Sequence, residues 1–240
     1  MSSKEIEFTS IEKLLKNLSN EFSKPPAIIL MCGNFNPIHK QHIEILENAK
    51  QLLEKKYEIV AGYISPSSEN CINGKYKKEE RTPFQQRKDM IEKITAKSSW
   101  IEIDTWEALH SEIVVVNCYE VITRLTTFLN ANQLINKLLK EKQLNMKIIF
   151  VCGSDEIFDN NVENLKDSEI MIFERYFDNE RINKWKNACK DFLCELYKEN
   201  WENLANNITL IDHNSTISSS DIRTLIRQNN NNWQEMCDPE

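Results

Sequence analysis

The sequence predicts an α/β fold: a doubly wound, mainly parallel sheet with helices on both faces. Three observations carry this prediction. Short apolar runs of strand length alternate with longer segments of helical periodicity. Two of only four glycines, Gly33 and Gly153, end such apolar runs. The 240 residues, 40% of them hydrophobic, are enough for one sizeable core, and we read a single domain over 1–240.

Taken in order, "AIILMC" (27–32) is a buried strand. Residues 37–56 carry apolar side chains at Ile43, Leu46, Ala49, Leu52 and Leu53, a helical spacing that follows with Pro37 in the first turn. "YEIVAGYIS" (57–65) is a second strand, followed by a polar loop over 66–81 and a helix over 83–96. "WIEIDTW" (100–106) alternates as a third strand. Residues 108–144 read as two helices broken near 130–132, and "KIIFVCGSD" as a fourth strand. "EIMIFER" and "ITLIDH" are two more strands, separated by an amphipathic helix around 182–204. A last helix starts near Ser219 and frays into "QNNNN". In such sheets ligands bind beyond the carboxyl ends of the strands, which singles out the rim that Gly33 and Gly153 share.

Composition narrows the partners. A net charge of −7 without a basic stripe argues against nucleic acid. No apolar run reaches the roughly 18 residues of a membrane span. Seven cysteines, scattered without a C-x-x-C pair, fit a reducing compartment. The expectation is a soluble, intracellular chain, cytoplasmic or nuclear.

At the first rim, Gly33 permits a tight turn or a close approach of backbone to ligand. Asn34, Phe35 and Pro37 follow, and the amides of the helix start would face the rim, a ready site for phosphate. His39 and His42 are three residues apart, so on a helix they share a side and could neutralise or hydrogen-bond a phosphoryl group. The alternative is a pair of exposed histidines without function. Two of the four histidines in the chain in one turn weigh against it. Two ligands do not make a zinc site, and no metal ligands are assigned. "TISSSDIR" offers a second such start, with Ser218 and Ser219 as cap and donors and Arg223 one turn along. An ordinary serine-capped helix with a surface arginine is the competing reading.

"GNFNPIHKQH" matches the G-x-F-x-P-x-H/T-x-x-H signature of the nucleotidyltransferase superfamily, and the chain resembles eukaryotic nicotinamide/nicotinate mononucleotide adenylyltransferases. The pattern continues through "GYISPSSE", "YKK" with Arg87 after it, "SSWIEIDTWEA", "VCGSD" and "ISSSDIR". These blocks keep the family's order over 27–227, leaving 1–25 as an N-terminal extension and 228–240 as a polar tail.

The resemblance implies a Rossmann-like nucleotidyltransferase fold and a reaction in which the mononucleotide's 5′-phosphate attacks the α-phosphate of ATP, releasing pyrophosphate and forming NAD or deamido-NAD. It implies that Gly33, Asn34, Phe35, His39, His42, Gly153, Ser218, Ser219 and Arg223 bind ATP. Of these, His42 serves the α-phosphate, His39 the β and γ region and Arg223 the triphosphate. Lys78 would hold the mononucleotide phosphate, although a solvated loop lysine is its plain alternative. Asp155 would face the ribose or amide, or simply cap the next helix. Mg²⁺ is implied as a cofactor bound mainly through ATP, and homo-oligomers are common among relatives.

The chain departs from the family at the pyridine pocket. After "DTWE" it reads "ALHSEIVVVNCYEVI", without the aromatic residue of its relatives, so Tyr119 and Glu120 are the nearest candidates. "NLKDSEIMIF" lacks the second aromatic. Trp106 is expected to pack within its strand motif rather than stack on substrate, and stands as the remaining aromatic candidate. Two other readings stay open. One is a related transferase with another phosphate acceptor, such as phosphopantetheine or a choline phosphate with CTP. The other is a catalytically silent nucleotide-binding module.

Overall fold

The apolar runs form strands because both of their faces are covered. The computed structural model describes residues 8–110, 116–153, 169–174, 208–212 and 217–237. Six strands are found there: β1 (Pro26–Gly33), β2 (Glu58–Pro66), β3 (Ile101–Ile103), β4 (Lys147–Gly153), β5 (Glu169–Glu174) and β6 (Ile208–Asp212). They form one sheet in the order β3-β2-β1-β4-β5-β6, every neighbouring pair parallel. The winding reverses between β1 and β4, which is the switch point where such sheets bind ligands.

Nine α-helices are described: α1 (Glu12–Leu18), α2 (Lys40–Leu53), α3 (Glu69–Lys75), α4 (Phe84–Thr95), α5 (Trp106–His110), α6 (Cys118–Ala131), α7 (Gln133–Glu141), α8 (Ser219–Arg227) and α9 (Trp233–Cys237). Along β1 the alternation of side chains divides the core in two. Ile28, Leu30 and Cys32 pack with Leu14 and Leu18 of α1, Leu125 of α6 and Leu139 of α7. Ala27, Ile29 and Met31 pack on the opposite face with Leu46 of α2 and Ile91 and Ile94 of α4. A continuous apolar run is what a doubly covered parallel strand requires.

Several sequence expectations need correction. The polar loop over 66–81 contains α3 and a 3-10 turn, Lys78–Glu80. Only Ile72 of α3 is buried, so no apolar periodicity announced it; the helix is set by Ser68, whose Oγ accepts from the Cys71 amide at 3.2 Å. The third strand stops at Ile103, because Asp104 turns inward and its Oδ1 accepts from the Trp106 amide at 3.3 Å, starting α5. Trp106 is therefore a helical residue. The last helix is followed by a second short one, α9, rather than by a frayed end.

The segment read as an N-terminal extension supplies α1. Its Leu14 and Leu18 are fully buried, each contributing about 2 kcal/mol of burial. The expected break between two helices falls at Asn132, whose Oδ1 accepts from the amides of Leu134 and Ile135 at 3.0 and 3.1 Å. The helix expected around 182–204 lies outside the described residues. Among the described residues no helix is long and apolar enough to cross a membrane.

Candidate active site

Leu30 of β1 pairs with Phe150 of β4, so Gly33 and Gly153 end neighbouring strands at one rim. Beyond that rim lies a cleft of about 390 Å³, within the range of small-ligand sites. Its walls come from the β1–α2 turn, the end of α3, the end of β4 and the start of α8.

The β1–α2 turn is built around Phe35. This residue has a positive φ of 43°, unfavourable for a side chain of its size by about 1–3 kcal/mol, and it is held there by packing. Its ring meets His42 edge-on at 5.1 Å between centroids. On the other side it lies against Gly33, where an added Cβ would come within 3.3 Å of Phe35 Cζ. Gly33 thus serves the approach of a ring, without the positive φ that a tight turn would have explained.

The same turn is clamped from outside by Arg87, a fully buried arginine of α4. Its Nη1 donates to the Asn34 carbonyl at 3.0 Å, Nη2 to Ser67 at 2.7 Å and Nε to Thr82 at 3.1 Å. Burial lowers its pKa while Glu69 and Glu107 oppose that shift, and an arginine keeps its charge under these conditions. The Asn36 side chain ties the turn to the loop after α3, donating to the Glu80 carbonyl at 2.9 Å and accepting from the Thr82 amide at 3.0 Å.

The two histidines are arranged differently from the helical pair expected. His39 is extended (φ −146°, ψ 168°), 1% exposed, and precedes α2 as its N-cap, so Pro37 lies outside the helix. The His39 amide donates to Nδ1 of His42 at 3.2 Å, and the two rings lie 3.8 Å apart. His42 lines the cleft and His39 stands behind it.

Opposite, α8 docks onto the same turn. The Ile217 amide donates to Gln41 Oε1 at 3.1 Å and Ser219 Oγ to the Pro37 carbonyl at 2.9 Å. Ser218 caps α8 by accepting from the Asp221 amide at 3.1 Å. Arg223 Nη1 donates to the Asn36 carbonyl at 2.6 Å and Nη2 to Ser220 Oγ at 2.9 Å. The first turns of two helices, with their positive dipole ends, therefore meet at one cleft, a geometry suited to an anion.

Of the residues singled out in the sequence, Gly33, Asn34, Phe35, His42, Gly153, Ser218, Ser219 and Arg223 line this cleft. Lys78 does not; it is exposed on the 3-10 turn, and Lys75 is the lysine of the wall. Glu120 closes a capping box with Asn117, and Tyr119 beside it is exposed. Trp106 stacks on His110 at 4.7 Å and lies 5.5 Å from the Arg124 guanidinium. Asp155 lies outside the described residues. Lys75 and Tyr76 were missed as cleft residues, because no local pattern marks a loop that only the tertiary fold brings to the rim, and Asn36 and Ser220 were passed over within the two turns already singled out.

A Rossmann-like α/β sheet with a cleft at its switch point whose geometry suits an anion defines the class. Within it, the chain belongs to the cytidylyltransferase-like family, whose model matches residues 30–225. It is 37% identical over 91 residues to nicotinamide/nicotinic acid mononucleotide adenylyltransferase 1 of Bos taurus, covering 37% of this chain and 31% of that protein. To the corresponding enzyme of Arabidopsis thaliana it is 29% identical over 146 residues, 60% of this chain and 56% of that one. The matches thus span about a third to a half of these relatives' length. In fold it is similar to the Plasmodium falciparum nicotinic acid mononucleotide adenylyltransferase complexed with NaAD, with a TM-score of 0.57, 22% identity and 86% of each chain covered.

Proposed function

We propose that this chain is an adenylyltransferase that joins ATP to nicotinamide or nicotinate mononucleotide, giving NAD or deamido-NAD and pyrophosphate. The observation that carries it is the convergence of the α2 and α8 starts, with His42 and Arg223, on the cleft at Gly33 and Gly153. The relatives' names support the substrate class.

In this reading the triphosphate spans the cleft between the two helix starts. A 5′-phosphate oxygen of the mononucleotide attacks the α-phosphorus in line, the bond to the β-bridging oxygen breaks, and pyrophosphate leaves with that electron pair. No protein nucleophile is needed, so the protein contributes positioning and charge stabilisation. With Nδ1 accepting from the His39 amide, neutral His42 carries its proton on Nε2, the donor for the α-phosphoryl oxygen. His39 acts through His42. Backbone amides at Asn34 and Phe35, Ser218, Ser219 and Arg223 hold the remaining phosphate oxygens. Lys78, Trp106, Tyr119, Glu120 and Asp155 stand as the acceptor-side assignments drawn from the family pattern, with Lys75 the nearer lysine.

Among the described residues the cleft walls offer neutral and cationic donors and no carboxylate, a set that fits Mg²⁺ carried on nucleotide oxygens and water. That ion would neutralise phosphate charge. We further place the protein as a single domain over 1–240, in the cytoplasm or nucleus, acting on small molecules rather than nucleic acid, and able to form a homo-oligomer.

An acceptor panel tests the reading. Nicotinamide mononucleotide and nicotinate mononucleotide with ATP should give dinucleotide identified by mass. Turnover only with phosphopantetheine, or only with choline phosphate and CTP, would overturn the acceptor class. ATP binding without any turnover would overturn the enzyme.

A further inference from the structure

We infer that Tyr76 is a positioning residue for nucleotide binding, holding the Arg223 guanidinium in its working plane. This rests on the reading of the cleft as the triphosphate site. The Tyr76 ring lies 4.9 Å from Arg223 Cζ, and both residues line the cleft.

Tyr76 is itself fixed. It ends α3 in an extended conformation (φ −121°, ψ 151°), with its amide donating to the Ile72 carbonyl at 3.0 Å. Arg81 then clamps the loop, Nε donating to the Tyr76 carbonyl at 2.9 Å and Nη2 to Asn73 at 3.0 Å. One helical turn beyond Arg223, Arg227 pairs with Glu80 of the same loop at 3.0 Å. The loop over 76–81 therefore engages α8 at two successive turns.

The arrangement leaves a definite role for the ring. Arg223 spends one proton on the Asn36 carbonyl and one on Ser220, while its buried Nε has no hydrogen-bond partner in the described structure. Two hydrogen bonds, one of them to the rotatable hydroxyl of exposed Ser220, leave the plane of the guanidinium adjustable. The Tyr76 ring beneath the guanidinium carbon restricts that adjustment, and a cation over an aromatic face is attracted as well. The remaining N–H groups are then oriented before the phosphates arrive, which lowers the ordering cost of binding.

The test is a double-mutant cycle on KM for ATP. Tyr76→Ala should raise it about three- to tenfold while leaving KM for the mononucleotide near its original value. Tyr76→Phe should restore it, since the ring rather than the hydroxyl is used. In an Arg223→Ala background, Tyr76→Ala should add nothing. Additive effects of the two substitutions, or an equal rise in both KM values, would overturn the inference while leaving the cleft assignment standing. A folded wild-type chain that binds no ATP by calorimetry would overturn both.

Discussion

The amide of His39 donates to Nδ1 of His42 at 3.2 Å, and this one bond sets the tautomer of the residue that faces the cleft. The Phe35 ring, edge-on at 5.1 Å, holds the imidazole from another side. A side chain constrained twice is oriented before substrate binds, and in that state a single donor contributes most to a phosphoryl transition state.

His42→Ala should therefore lower kcat about 10²- to 10³-fold with a smaller change in either KM. The thermal midpoint should hardly move, because His42 is only half-buried. Steady-state kinetics beside a melting curve check this. Retained turnover in a folded variant would remove His42 from the chemistry.

Arg223→Ala should act mainly on ATP, raising its KM about tenfold or more, with Arg223→Lys only partly restoring it. Two donated bonds from one planar group, to Asn36 and Ser220, are not reproduced by an ammonium. Initial rates over an ATP series, at fixed mononucleotide, measure the effect.

Arg87→Ala should be a folding variant. Its three carbonyl acceptors, on Asn34, Ser67 and Thr82, would be left without this partner in a buried place, a cost of about 3 kcal/mol or more. Chemical denaturation should show the loss, with a lowered midpoint at unchanged slope.

Asp104 gives a pH dependence. It is fully buried, and burial raises its pKa from the ordinary 3.8, while Arg124 at 3.2 Å, Thr9 and the Trp106 amide oppose the shift. A carboxyl that holds its proton to higher pH when folded stabilises fully below its unfolded value, and that contribution is lost as pH rises through the folded one. Asp104→Asn should therefore cost less stability at pH 7 than near pH 4. A larger cost at pH 7 would mean that attraction to Arg124 outweighs burial.

The fold was legible where burial writes a pattern. β1 announces itself by six apolar residues ended by Gly33, and α2 by the spacing of Leu46, Ala49 and Leu53. The β1–α2 turn and the Ser218 cap were legible because phosphate sites at helix starts draw on few residue types. Other features leave no local trace. α3 buries a single side chain, Trp106 became helical through the inward turn of Asp104, and His39 left the helix because an N-cap needs extended backbone. Tyr76 and Lys75 reach the cleft only through tertiary contacts, which no local pattern in the sequence records.

The most direct measurement follows label from α-³²P-ATP into dinucleotide, with nicotinamide and nicotinate mononucleotide in parallel and His42→Ala beside the wild type. Labelled dinucleotide and stoichiometric pyrophosphate from the wild type, largely lost in the variant, is the result predicted. Folded, ATP-binding wild-type protein that transfers no label to either acceptor would contradict the account.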